Sequence, residues 1–318
     1  MCDNRDELQF GASVERCVAC GGCRVSYWGT KSRVLSDRQA CRFSIFKCAD
    51  CGTGFLNPPP SIACLERIYR CSGHGLTGPA HVADVLESEC RFPNSSVDAH
   101  RMVSMACSMN KSQSWRSLDV GAGYGFVTRE MLRQGLSVTS INPGEYENVV
   151  FEAMNGFRPQ VTLFEKYSPD GQFGIVVLSQ VLEHMLEPAM QIRRIHDMLA
   201  PGGALVIAVP NFNSAAVKIL GTRDNGCLWV PEHVNYFTDK GLRMLLRRLD
   251  FEVVHTHQVT RVRPDVISRR LPLRGGARIM ETVTRYAQVP VCLAASAIGR
   301  GLYINAYARR RRSGARNG

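Results

Sequence analysis

The sequence predicts an α/β fold: a mostly parallel sheet flanked by helices, with a small cysteine-rich module in front of it. Three observations carry this. From Trp115 onward, short apolar runs alternate with amphipathic segments, the rhythm of βαβ units. One run, Leu118-Asp119-Val120, breaks into glycines at alternate positions, Gly121, Gly123 and Gly125, and then passes into helix-forming sequence. Upstream, Cys17-Val18-Ala19-Cys20 and Cys48-Ala49-Asp50-Cys51 form two C-x-x-C pairs, each followed by glycine.

The N-terminal module is read over residues 1–60. Two C-x-x-C knuckles separated by a hairpin-like stretch are the signature of a four-cysteine zinc ribbon, with Cys17, Cys20, Cys48 and Cys51 as ligands. Four thiolates leave no open coordination position, so the zinc is expected to be structural. Cys23 and Cys41 are spare, and Asn57-Pro58-Pro59-Pro60 is read as a stiff linker.

Residues 61–114 are read as a helical linker or cap over the cleft. Ile62, Leu65, Ile68 and Tyr69 share one helical face, and Val97–Met109 fits a second helix. The core, residues 115–260, begins with a strand at Ser117–Val120, followed by a helix at Val127–Gln134 that Gly135 stops. Strand two is Ser137–Ile141, with a helix at Tyr146–Asn155. Strand three is Gln160–Phe164, and strand four, Gly174–Ser179, is apolar throughout. A helix at Met190–Leu199 ends at Pro201-Gly202-Gly203, and Ala204–Val209 is strand five. Thr238 is placed as the N-cap of a helix carrying Leu242, Leu245, Leu246 and Leu249; Phe251–His257 is strand six. In residues 261–318, Ile279, Met280, Val283 and Tyr286 share a modest amphipathic face. Leu302–Ala308 reads as a last strand, and Arg309–Gly318 as a frayed basic tail.

Charge is segregated. The chain of 318 residues carries a formal net charge of +11, and residues 261–318 alone hold thirteen arginines, no lysine and two acids. That segment reads first as a solvated tail with no partner, then as a contact for an anionic membrane surface or a phosphate-bearing substrate, with RNA a weaker fit because few aromatic residues, among them Tyr303 and Tyr307, interleave the basic ones. No stretch reads as a spanning helix and the N-terminus lacks an apolar signal core, so a cytoplasmic location is expected. Thirteen cysteines in a reducing compartment are then metal ligands or small buried apolar groups.

The glycine spacing discriminates between nucleotides. A dinucleotide fold wants G-x-G-x-x-G, whose third glycine would fall at Phe126; here it comes early, at Gly125. The run Asp119 to Gly125 resembles motif I of the class I S-adenosylmethionine (SAM) methyltransferases. Val181-Leu182-Glu183-His184-Met185, Leu199 to Leu205, Val209-Pro210-Asn211 and Pro231 to Phe237 follow in the order found in the group related to the ubiquinone-biosynthesis O-methyltransferase. A ribbon ending in Phe55 to Pro60 is similar to that of a bacterial subset.

The resemblance implies a Rossmann-like class I methyltransferase sheet with its last strand antiparallel. It also implies transfer of a methyl group from SAM to a small-molecule or glycan-type acceptor, on oxygen or else on carbon or nitrogen. It places the cofactor on Asp119, Gly121, Ala122, Gly123, Tyr124, Gly125, Asn142, Glu165 and Gln180. Asn142 stands where the family carries an acid for the ribose, a departure that either weakens binding or shifts that contact to Glu145. His184 and His233 are the candidate bases, and Trp229, Tyr236 and Phe237 either wall the acceptor pocket or belong to the core. His255 and His257 are read as structural. Two alternatives stand beside this: an RNA or protein methyltransferase docking through the ribbon and the Arg-rich end, and a degenerate binding protein.

Overall fold

Two sheets organise the chain, and one of them joins the cysteine module to the core. A computed structural model describes residues 9–34, 40–66, 81–91, 93–223, 225–260, 290 and 293–311. In the small sheet, β1 (Val25–Val34), β2 (Ala40–Cys48) and β3 (Gly54–Leu56) form an antiparallel meander. Its fourth strand is β8 (Asn235–Tyr236), from the far side of the sequence, paired with Gly54 and Phe55. The segment read as a stiff linker is tied down: the Asn57 side chain bonds both backbone groups of Val14, and Gly11 N–H donates to the Pro59 carbonyl.

The large sheet has six strands in the order β5-β4-β6-β7-β10-β9. Strands β4 (Arg116–Val120), β5 (Ser137–Ile141), β6 (Phe173–Ser179) and β7 (Leu199–Pro210) are parallel. Strand β10 (Tyr303–Arg310) runs antiparallel between β7 and β9 (Phe251–Val259), as expected for the last strand. The chain moves from β4 to β5 on one side and then to β6 on the other. That reversal opens a crevice at the carboxyl ends of the strands.

Helices cover both faces. On one face, α2 (Asn94–Met109) and α3 (Phe126–Arg133) bury Ala99, Met102, Val103 and Met131 against Ile175, Val177, Val206 and Tyr307. On the other, α5 (Pro188–Met198) and α7 (Asp239–Arg248) pack Ile192, Ile195, Leu242, Leu245 and Leu246 against Leu118, Val176, Leu205 and Ile207. Cys17, Cys48, Cys51 and Phe55 of the cysteine module belong to that same cluster. The module therefore shares both a sheet and a core with the rest of the chain. Helices α1 (Val82–Arg91), α4 (Glu145–Asn155) and the short α6 (Ala215–Leu220) are also present; α1 has no counterpart in the sequence reading.

Three sequence expectations change. Strand three at Gln160–Phe164 is reduced to one bridge, Ile141 to Gln160, and Phe164–Lys166 is a 3-10 turn. β5 ends at Ile141, and Pro143 has no N–H to extend the ladder. Pro201-Gly202-Gly203 lies inside β7, across a register irregularity in its pairing with β6. Arg309 and Arg310 belong to β10, not to a frayed tail: Arg309 pairs with Glu252 at 2.7 Å and Arg310 donates to the Leu199 carbonyl. Ile68 and Tyr69, the amphipathic face at 279–286, and residues 312–318 lie outside the described residues. No helix among the described residues is long and apolar enough to cross a membrane.

Candidate active site and cysteine centre

The crevice is a cavity of about 700 Å³ at the carboxyl ends of β4 to β7. Asp119, Gly121, Ala122, Gly123, Tyr124, Asn142, Glu165 and Gln180 all line it, as the sequence placed them. The loop after β4 takes the left-handed conformation at Gly121 (φ 65°) and Gly123 (φ 51°). A Cβ on Gly121 would meet Val181 at 2.5 Å, whereas beside Gly123 only the Gly121 carbonyl lies within 4 Å, so the loop is open there to a ligand. Gly125 does not line the cavity. Its φ is 88°, and a Cβ would lie 2.2 Å from Asn155 Nδ2 and 2.7 Å from the Phe151 ring, so this glycine serves helix packing.

Asp119 is buried; its carboxylate accepts from the Thr128 hydroxyl at 2.7 Å. Burial pushes its pKa up to about 6, against the pull of the Thr128 hydrogen bonds. Asn142 is locked on three sides: Oδ1 accepts from Gly123 N–H at 3.2 Å, and Nδ2 donates to the Gly144 carbonyl and Asn148 Oδ1. An aspartate has no N–H for the last two bonds, which explains the departure from the family pattern. The acid that accompanies Asn142 is Glu147, which corrects the expected shift to Glu145. Glu145 is exposed and away from the cavity, whereas Glu147 is buried and lines it, with its Oε2 where a Cβ on Gly144 would fall. The sequence signal was an acid in the first turn of α4, two residues further on.

At the exit of β6, Gln180 is a non-glycine residue with φ 59°, the kind of strained backbone that collects at functional sites. His184 also lines the cavity. Its ring N–H at Nδ1 donates to the Glu232 carbonyl at 2.9 Å, so in the neutral ring the lone pair lies on Nε2. His233 is 4% exposed, is absent from the cavity wall, and stands edge-on behind His184 with ring centroids 4.7 Å apart. Its Nδ1–H donates to the Cys227 carbonyl at 2.8 Å. Glu183 joins them: one carboxylate oxygen and one ring nitrogen of each histidine lie within 4.8 Å of one another. Burial pushes the Glu183 carboxyl up to about 8, so it holds its proton at neutral pH.

Trp229 lines the cavity, but Tyr236 and Phe237 are fully buried in the core. Asn94, Ser95, Asp98 and Met102 of α2 and Tyr303 and Asn305 of β10 complete the wall; sequence reading did not single out these residues for the site. His255 and His257 stack with Tyr307 away from it.

The four knuckle cysteines converge. Their Sγ atoms lie within 4.8 Å of one another, with Cys17 to Cys51 at 3.5 Å and Cys20 to Cys48 at 3.6 Å. A tetrahedral zinc with Zn–S bonds of about 2.3 Å has S–S edges of about 3.8 Å, so the donor set fits. Gly21 and Gly52 both have φ 77°, which lets each knuckle turn tightly around its pair. The shared hydrogen bond lowers the Cys51 thiol and raises that of Cys17, so one proton lies between the pair and a metal would displace it. Cys23 and Cys41 are outside the cluster.

A glycine cradle with an acid at the strand tip, on a sheet whose last strand is antiparallel, defines the class I methyltransferase architecture. Residues 81–256, more than half of the chain, match the family model described as a methyltransferase domain, and the chain belongs to that family. Among curated relatives, it is 30% identical over 125 residues to the ubiquinone biosynthesis O-methyltransferase of Caulobacter sp. (strain K31), covering 36% of this chain and 49% of that one. It is 34% identical over 108 residues to the enzyme of the same name from Marinobacter nauticus, covering 31% and 45%. The chain thus spans about half the length of the curated relatives it matches. Among solved structures, the plantazolicin methyltransferase BpumL in complex with SAH is 13% identical, with a TM-score of 0.49, over 78% of this chain and 94% of that chain.

Proposed function

We propose that this chain transfers a methyl group from SAM to a small-molecule or glycan-type acceptor, on oxygen. The observation that carries this reading is one cavity lined by both the glycine cradle and His184. SAM, when bound, supplies a methyl group that is already electrophilic. Asp119 and the open backbone at Gly123 suit its amino-acid tail. Asn142, with one Oδ1 lone pair left, and Glu147 suit its ribose, and the faces of Leu163 and Phe164 suit its adenine. An acceptor hydroxyl needs a base, and His184 is the candidate on the cavity wall: its Nδ1–H donates to the Glu232 carbonyl, and Nε2, which the fold buries, takes the proton where the ring turns it toward the acceptor. The new bond joins the acceptor oxygen to the methyl carbon as the carbon–sulfur bond breaks, and its electron pair stays on sulfur. His233 holds the His184 ring from behind. Zinc bound by Cys17, Cys20, Cys48 and Cys51 is structural in this reading.

The test is a calorimetric titration with SAM, followed by labelled-methyl incorporation into cell extract. Micromolar binding, with incorporation lost in His184→Asn and SAM affinity kept, supports the reading. No heat and no thermal shift would favour a binding protein, and incorporation into RNA or protein would move the acceptor class. A second reading is favoured by the donors themselves: two imidazoles and a carboxylate within 4.8 Å also suit a divalent cation. Incorporation abolished by chelation while zinc stays on the cysteines would select it.

A further inference from the structure

The segment from Trp229 to Tyr236 has only a two-residue strand, yet all of it beyond Trp229 is buried. Its inner side is tied to the turn that carries His184: Val234 N–H donates to the Glu183 carbonyl at 2.9 Å, and Asn235 Nδ2 to the Met185 carbonyl at 2.6 Å. Its outer side is tied to the cysteine module. Leu56 N–H donates to the Val234 carbonyl, and β8 pairs with β3.

One side chain of the module reaches further. Arg33 stands near the tip of the β1–β2 hairpin, opposite Cys41, at the end remote from the knuckles. Its Nη1 donates to the Val230 carbonyl at 2.7 Å and to the Glu232 carboxylate at 2.8 Å, across 199 residues of sequence. The Glu232 side chain is 3% exposed, and its other oxygen has no hydrogen-bond partner among the described residues. The backbone carbonyl of the same Glu232 accepts the ring N–H of His184.

We propose that Arg33 is a positioning residue for His184, acting through Glu232. The claim rests on the reading of His184 as the base, and it adds a task for the cysteine module. The hairpin is an arm that starts at the metal knot and ends on the strap behind the acceptor side of the cavity. A buried carboxylate that loses its cation must take up a proton or move toward water. Either change displaces the 230–232 backbone and frees the carbonyl that fixes the His184 tautomer. Because a single nitrogen makes both contacts, a lysine keeps the charge and part of the bonding, whereas methionine keeps only the apolar stem.

The experiment is a long-range proton–nitrogen spectrum of the full, zinc-loaded chain labelled at histidine, with the His184 signals identified by their loss in His184→Asn. In the native chain His184 is expected as the Nδ1–H tautomer with a protected ring proton. In Arg33→Met that proton should exchange at least tenfold faster and the tautomer signal should average. Arg33→Lys should restore most of the protection, and SAM affinity should stay within twofold in both. An unchanged His184 signal in folded Arg33→Met overturns the proposal. If that variant does not fold, Arg33→Gln removes the charge while keeping one donor and much of the stem, and an unchanged His184 signal in it overturns the proposal equally. A His184 signal that loosens while methyl incorporation holds upholds the positioning and defeats the base assignment instead.

Discussion

Two sets of residues lining the cavity are built in opposite ways. The set proposed for the cofactor is local: Asp119, the glycine loop and Asn142 come from one βαβ unit and lock one another through the Thr128 and Gly123 contacts. The rest of the wall, which the proposed function gives to the acceptor, is assembled from α2, the turn after β6, Trp229 and β10, and it leans on the cysteine module through the Trp229–Tyr236 strap. The difference teaches where each set is vulnerable. The cofactor set should fail only when its own loop is altered, whereas the acceptor set should fail from a distance.

The largest effect tests that contrast directly. A structural zinc site of this kind is worth on the order of 10 kcal/mol to its module. Cys48→Ser should lower bound zinc, measured by a thiol-displacement assay, from one per chain toward zero and loosen the His184 environment. SAM affinity by calorimetry should fall less than about tenfold, since one factor of ten is only about 1.4 kcal/mol. Equal loss in both sets would erase the distinction. Within the cofactor loop, Gly125→Ala combines a left-handed backbone with a clash against Asn155 and Phe151. It should cost about 3 kcal/mol in denaturant unfolding. Gly135→Ala has a similar φ of 78° with nothing within 4 Å. It should cost only about 1 kcal/mol.

A smaller change sharpens the reading of Asn142. Asn142→Asp forfeits two donated hydrogen bonds and sets a carboxylate near Glu147. Stability should drop by about 2 kcal/mol in a melting or denaturant series; a gain would show that the family acid is tolerated here. The smallest effect is in pH. Burial raises Asp119 to about 6, so below that value its carboxyl is protonated and loses its attraction for a cationic tail. SAM affinity should be flat from pH 8 to 7 and about tenfold weaker at pH 5. Asp119→Asn should abolish that slope.

The same contrast explains what was legible in the sequence. Strands β4 to β7, the two C-x-x-C turns and the cap at Thr238, whose hydroxyl accepts from Gly241 N–H, are each set by contiguous residues. The glycine loop and its acid are equally local. Glu147 was missed by two positions, because a helix turn decides which first-turn acid faces inward. Strand three was over-read because its residues favour a strand, while the partner strand ends before it can pair. His233 was assigned to the cavity on its place in a motif; Cys227 and Trp229, close in sequence but folded around it, turn it away. Arg33 carries no local signal, since its contact with Glu232 exists only after the hairpin meets the strap.

The β3–β8 pairing has a practical outcome for anyone dividing this protein. Removing the first sixty residues would strip β8 of its neighbour and take Cys17, Cys48, Cys51 and Phe55 out of the shared core, leaving raw backbone and oily surface side by side. Such an edge recruits other chains. A trimmed catalytic half should therefore clump during expression, and the cysteine module is no detachable accessory but one wall of the house.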